Sequence, residues 1–165
     1  EALVADGGFV EHAEVHGNLY GTSRAAIEEP LARGMDVLFD VDIQGAEQLH
    51  AHFQDRAHLV FVVPPSWQAM VERLVARSSE SDQTLRRRLR TARFELQRVL
   101  TTLDMGVPWY CLVNDDLDVA LTDLLQMVRR QPQTVSLAAR RLLDRFLADA
   151  LADPRADAIE AAESP

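Results

Sequence analysis

The chain has 165 residues, 47% of them apolar, and a formal net charge of −9. That is enough for one domain with a real core, and too acidic overall for a general polyanion binder, so a nucleic-acid partner is not expected. The longest apolar run, 59–65, is far too short to span a bilayer, and the single cysteine, Cys111, excludes an internal disulfide framework and fits a reducing, cytoplasmic setting.

FVEHAEVHG (9–17) alternates apolar with polar or small residues and predicts a half-buried strand. NLYGTS (18–23) predicts a turn, with Gly21 as breaker and Thr22 or Ser23 as helix N-cap. A helix follows to about Arg33, closed by Gly34, with Pro30 inside it predicting a kink or a late start. Residues 36–43 predict a strand, and 45–52 a short helix. Residues 59–63, LVFVV, predict a strand buried on both faces.

Pro64-Pro65-Ser66 ends that strand, and Ser66 caps a helix carrying Met70, Leu74 and Arg77. Residues 78–82 are polar and loop-like, and a long helix runs from about 83 to 103. A turn over 105–109 leads to a short strand at 110–113, and Asp115 and Asp116 begin the next helix. A last amphipathic helix spans about 135–151, and 152–165, short of large apolar groups, predict a disordered tail. Apolar strands alternating with helices imply a parallel α/β sheet, whose ligands bind beyond the carboxyl ends of the strands. Asp40, Asp42, Ser66, Asn114 and Asp115 all fall at or just after such ends.

LFDVDIQG (38–45) sets Asp40 and Asp42 on one face of the expected strand. Two unpaired carboxylates there are costly to bury. They either cap the next helix in solvent or line a polar cleft, one accepting donors from a ligand and the other holding a metal or its water shell. Magnesium suits such a cleft, because it takes one or two carboxylates with waters and phosphates.

All 17 basic residues are arginine. Eight of them lie between Arg73 and Arg98, against only three acidic residues. Arg73 and Arg77, four apart, share a helix face, and Arg88 lies across a short polar loop. The plain reading is a solvated basic face. The functional one is a flap whose planar guanidinium groups grip phosphates. Glu11 shares its strand face with Phe9, Ala13 and Val15, so its carboxylate needs donors, and a guanine edge offers two in a row. The histidines form no zinc pattern, and no Ser-His-Asp or Cys-His arrangement or GxGxxG is present.

Together FVEHAEVHGNLYGTS, GMDVLFDVDIQGA (34–46), LVFVVPPS, ERLVAR, RRRL (86–89) and LVNDDLDVALTDL (112–124) resemble the guanylate kinases of bacteria, in register from about Phe9 to Arg130. The resemblance implies a P-loop nucleoside monophosphate kinase fold with a parallel sheet flanked by helices. It implies a GMP-binding lobe at about 1–35 and a lid at about 73–93, within a domain of 1–130 followed by a C-terminal helix. It implies transfer of the ATP γ-phosphoryl group to GMP with Mg²⁺, in purine nucleotide metabolism. By position, Glu11 and Asp42 resemble the carboxylates that read guanine, and Tyr20 and Thr22 the GMP-phosphate and turn contacts. Asp40 resembles the carboxylate near the metal, acting through water or phosphate. Arg73, Arg77 and Arg88 resemble the clamp on the transferring phosphoryl group, and Asn114 the residue beside adenine.

Several features depart from the family pattern. Leu19 stands for a usual Tyr, Ser78 for a usual Gly, and Pro30 is uncommon. The family's Gly-rich GKS or GKT loop is not found, and the chain contains no lysine. The sequence, starting at Glu1 in mid-pattern, therefore reads as an N-terminally truncated kinase that is inactive as given. A catalytically inactive binding module of the same fold, or a truncated paralogue, is the alternative. No oligomeric state is legible.

Overall fold

A computed structural model of the chain describes residues 9–15, 18–77, 82–130 and 137–156. They fall into two compact units, 1–59 and 60–165.

In the first unit, β1 (Phe9–Val15) and β2 (Asn18–Ser23) pair antiparallel, with a register shift between Phe9 and Glu11. NLYGTS is therefore a strand rather than the expected turn. Gly21 pairs with His12 inside the ladder, so the partner strand overrides its breaker character. Ser23 ends β2 and caps α1 (Arg24–Ala32), its Oγ accepting the Ala26 N–H at 3.3 Å. α1 runs through Pro30 with no late start, and the Pro30 carbonyl accepts the N–H groups of Arg33 and Met35. Gly34, at φ +74°, then turns the chain in the left-handed region.

The expected strand at 36–43 does not form. Residues 36–42 carry no ladder, and Ile43 already opens α2 (Ile43–Phe53). The alternation nonetheless sorts the faces as expected. Phe39 and Val41 pack against the core of Val10, Ile27 and Leu49, while Leu38, Asp40 and Asp42 are exposed. Half-burial needs only one apolar neighbour, whereas a strand also needs a backbone partner.

In the second unit, β3 (Leu59–Val63) pairs with β4 (Trp109–Val113). The Asn114 N–H, just past β4, donates to the Val63 carbonyl at the end of β3 at 2.7 Å, so the strands run parallel with their carboxyl ends together. The crossover consists of α3 (Trp67–Arg77) and α4 (Asp82–Asp104). Ser66 caps α3 as expected, accepting the Ala69 N–H at 3.1 Å. α4 buries Leu89, Leu96, Val99 and Leu100 along one stripe. Trp109 donates its indole N–H to the Thr102 hydroxyl at 2.9 Å and meets the Phe61 ring edge-on.

Asp116 caps α5 (Leu117–Arg130), accepting the Val119 N–H at 3.0 Å. α6 (Leu137–Ala152) buries Leu143, Phe146 and Ala150 and is tied to α4 by an Arg140–Asp104 ion pair at 2.5 Å. The expected tail at 152–165 is folded at its start. Asp153 is buried, and a 3-10 turn, Pro154–Ala156, follows with Ala156 buried. Residues 157–165 lie outside the described ones. Among the described residues, no helix is long and apolar enough to cross a membrane.

Candidate active site

The candidate positions fall in both units. In the first, Glu11 lies directly opposite Thr22 in the β1–β2 ladder, and Tyr20, opposite Ala13, sits two residues along β2. The ladder therefore gathers three of the expected GMP positions at neighbouring register points. The side chains of Glu11, Leu19 and Tyr20 lie outside the described residues, and Thr22 is half-buried.

Asp42 is the N-cap of α2. Its Oδ1 accepts the Gly45 N–H at 2.8 Å, with an extended backbone at ψ 176°. The plain reading of this aspartate is thus realised. It still leaves Oδ2 with no partner in the cap, and the side chain is exposed. Asp40, two residues earlier, is also exposed. Neither carboxylate is a buried liability, because the segment that carries them turns that face to solvent.

The carboxyl end of the parallel pair holds the other cluster. Arg73, on α3, donates from Nη1 to the Asn114 carbonyl at 2.5 Å. Its Nη2 reaches the Asp115 carbonyl at 3.3 Å and lies 3.5 Å from Asp115 Oδ1. The charge-assisted bond to Asn114 is the strong contact, and the exposed pairing with Asp115 adds little. Asn114 is thereby held through both backbone groups, its N–H on β3 and its carbonyl on α3. Of the two aspartates after it, Asp116 is spent on the cap of α5, and Asp115 faces Arg73. The sequence marks both as helix-start residues and does not distinguish them. Pairing with a guanidinium 42 residues away has no local signal.

Arg77 is the last residue of α3, one turn beyond Arg73, and its side chain lies outside the described residues, as does Ser78. Arg88 is exposed on α4. Among the described residues, no three His, Cys, Asp or Glu side chains converge to hold a metal. Magnesium does not require such a cage. One carboxylate acting through water, with phosphate oxygens completing the sphere, matches an exposed Asp40. Burial on β4 pushes the Cys111 thiol up to about 11, so it offers no thiolate nucleophile at neutral pH.

Comparison with known proteins gives one family. A family model described as guanylate kinase matches residues 1–131. The guanylate kinase of Anaeromyxobacter dehalogenans is 46% identical over 129 residues, covering 78% of this chain and 55% of that protein. That of Thiobacillus denitrificans is 40% identical, covering 90% of this chain and 66% of the relative. That of Escherichia coli K12 is 39% identical, covering 89% and 69%. The crystal structure of the guanylate kinase from Anaplasma phagocytophilum aligns with a TM-score of 0.59 and 26% identity, covering 88% of this chain and 69% of that one. The chain thus spans between about half and about two thirds of the length of these relatives.

Proposed function

Because this chain belongs to the guanylate kinase family, with its P-loop nucleoside monophosphate kinase fold, we propose that it serves an ATP:GMP phosphotransferase, giving ADP and GDP in purine nucleotide metabolism. The observation that carries the reading is Arg73, held against Asn114 and Asp115 at the carboxyl ends of β3 and β4. In open parallel sheets that is where ligands bind, and a guanidinium there suits a phosphate.

In this reading Glu11 and Asp42 accept the guanine N1–H and exocyclic amine, and Tyr20 and Thr22 hold the GMP phosphate. Arg73, Arg77 and Arg88, within a lid at about 73–93, offset the charge that develops on the transferring phosphoryl group. Asn114, with its backbone committed on both sides, presents its side-chain amide to adenine. Mg²⁺ bound with ATP would neutralise phosphate charge, and Asp40 would hold one of its waters. The lone, half-buried cysteine supports a cytoplasmic setting.

The 165 residues contain no lysine and hence no GKS or GKT loop to cradle ATP phosphates. The test is therefore an ADP-release assay on the chain alone and on a chimera carrying the N-terminal segment of the Escherichia coli relative. GMP-dependent release by the chimera, weak with AMP and negligible with the chain alone, is expected. A chimera that folds and gives no GMP-dependent release refutes the kinase reading and favours a binding module.

Asp42→Asn separates the two roles of that side chain. Asparagine caps helices as well as aspartate does, so α2 and the melting temperature are unchanged. The lost carboxylate lowers the GMP-over-AMP ratio of kcat/KM by about tenfold to a hundredfold, the equivalent of one hydrogen bond to a charged group. Equal losses for GMP and AMP in the chimera would remove Asp42 from base recognition.

A further inference from the structure

The family model covers residues 1–131, and the chain stays folded after it. Asp153, between α6 and the last 3-10 turn, is buried and has four donors. Its Oδ2 accepts the Trp67 indole N–H at 2.8 Å and Arg155 Nη2 at 2.8 Å. Its Oδ1 accepts the Arg155 backbone N–H at 3.0 Å and Arg155 Nε at 2.8 Å. The Trp67 ring also meets Phe146 of α6 edge-on, with centroids 5.9 Å apart. A buried carboxylate with this many directed bonds tolerates little displacement of its partners.

Trp67 is the first residue of α3, and Arg73 lies six residues further along the same helix. α3 is therefore pinned twice, by Trp67 to Asp153 and by Arg73 to the Asn114 carbonyl. A helix of 11 residues is short and stiff, so rotation at its first turn carries through to Arg73.

We propose that Asp153 is a positioning residue: through Trp67 it sets the rotation of α3 and so seats the Arg73 guanidinium at Asn114, making the segment at the end of α6 a brace for the phosphate-binding arginine. The geometric half of this stands on the contacts alone, and its catalytic half rests on the kinase reading. A merely local role for Asp153 would hold 153–156 to the first turn of α3 and leave Asn114 unaffected.

Two variants test it. Trp67→Phe keeps a ring against Phe146 and removes the N–H. Asp153→Asn keeps the shape and removes the charge. Amide hydrogen exchange on the 165-residue chain reads Asn114, whose N–H is bonded to Val63. About fivefold faster exchange at Asn114 is expected in both variants, the equivalent of one net hydrogen bond, with β1 and β2 unchanged. In the chimera, kcat should fall about fivefold in both with the KM for GMP unchanged, because the GMP positions lie on other elements. Unchanged exchange at Asn114 alongside faster exchange at 153–156 overturns the proposal, as does an unchanged kcat. A wild-type chimera that releases no ADP defeats the kinase reading instead, and the Asn114 exchange then still decides whether Asp153 positions α3.

Discussion

Replacing Arg77 with alanine in the chimera is expected to lower kcat by more than about tenfold while leaving the melting temperature almost unmoved. The expectation follows from its place on α3. Arg77 ends the helix, one turn beyond Arg73, at the end whose dipole already favours a cation. A cation in the last turn of a helix contributes only about 0.3–1 kcal/mol to folding through that dipole. Its contribution to phosphoryl transfer is larger, because charge builds on the transferring oxygens only as the transition state is approached.

Arg73→Ala gives the contrasting case. It removes the same kind of charge and also the bond to the Asn114 carbonyl, which is worth about 1 kcal/mol net. Both kcat and melting temperature should therefore fall. Steady-state kinetics with thermal melts by circular dichroism separate the two. An Arg77→Ala chimera with wild-type kcat would take Arg77 out of the clamp. A stable Arg73→Ala protein would show that the Asn114 contact carries no stability.

Asp153→Ala is expected to destabilise the second unit by about 3 kcal/mol, among the larger effects available in the chain. The substitution strips Trp67 of its buried acceptor and leaves the Arg155 guanidinium without its carboxylate. The same carboxylate predicts an acid response. The Arg155 hydrogen bond, and after it the Trp67 N–H, hold Asp153 well below the usual carboxylate range, against the opposing effect of burial. A group whose folded pKa is depressed stabilises the fold above its unfolded value, about 3.9, and loses that contribution as pH falls further. Urea titrations between about pH 5 and pH 2.5 should show the wild type losing stability more steeply than Asp153→Ala. Parallel pH slopes for the two proteins would contradict the assignment.

These two cases also mark what a sequence reading reaches. Local chemistry was legible. Ser66 caps the helix it was expected to cap, the helix expected to begin at Asp115 and Asp116 starts at Leu117 with Asp116 as its cap, the long helix expected at 83–103 is found at Asp82–Asp104, and the strand expected at 110–113 forms within Trp109–Val113. Each depends on a few adjacent residues. The family resemblance came from the order of short motifs and needed no knowledge of contacts.

What was missed depends on partners distant in the chain. Residues 36–42 have the alternation of a strand and sort their faces accordingly, but alternation cannot supply a hydrogen-bonding neighbour. Gly21 looks like a breaker until β1 lies beside it. Residues 152–156 look like a tail by composition, yet one carboxylate there meets a tryptophan 86 positions earlier. At the candidate site, Arg73 was identifiable as a residue type in a pattern. That it would grip a backbone carbonyl was not, since every residue carries one. For Asp42 both roles were foreseeable, and the capping role is the one made visible by the Gly45 contact.

The burial of Trp67 and Trp109 has a practical consequence for following this protein in solution. The chain has two tryptophans, both in the second unit, one bonded to Asp153 and the other to Thr102. Intrinsic tryptophan fluorescence therefore reports on the unit that bears Arg73 and Arg88 and is blind to the unit that carries β1, β2 and Asp42. Ellipticity reports on both. If the two units come apart independently, emission and ellipticity will trace different transitions in one sample. A guanine nucleotide held by the first unit will then shift the ellipticity curve while the emission curve stays where it was.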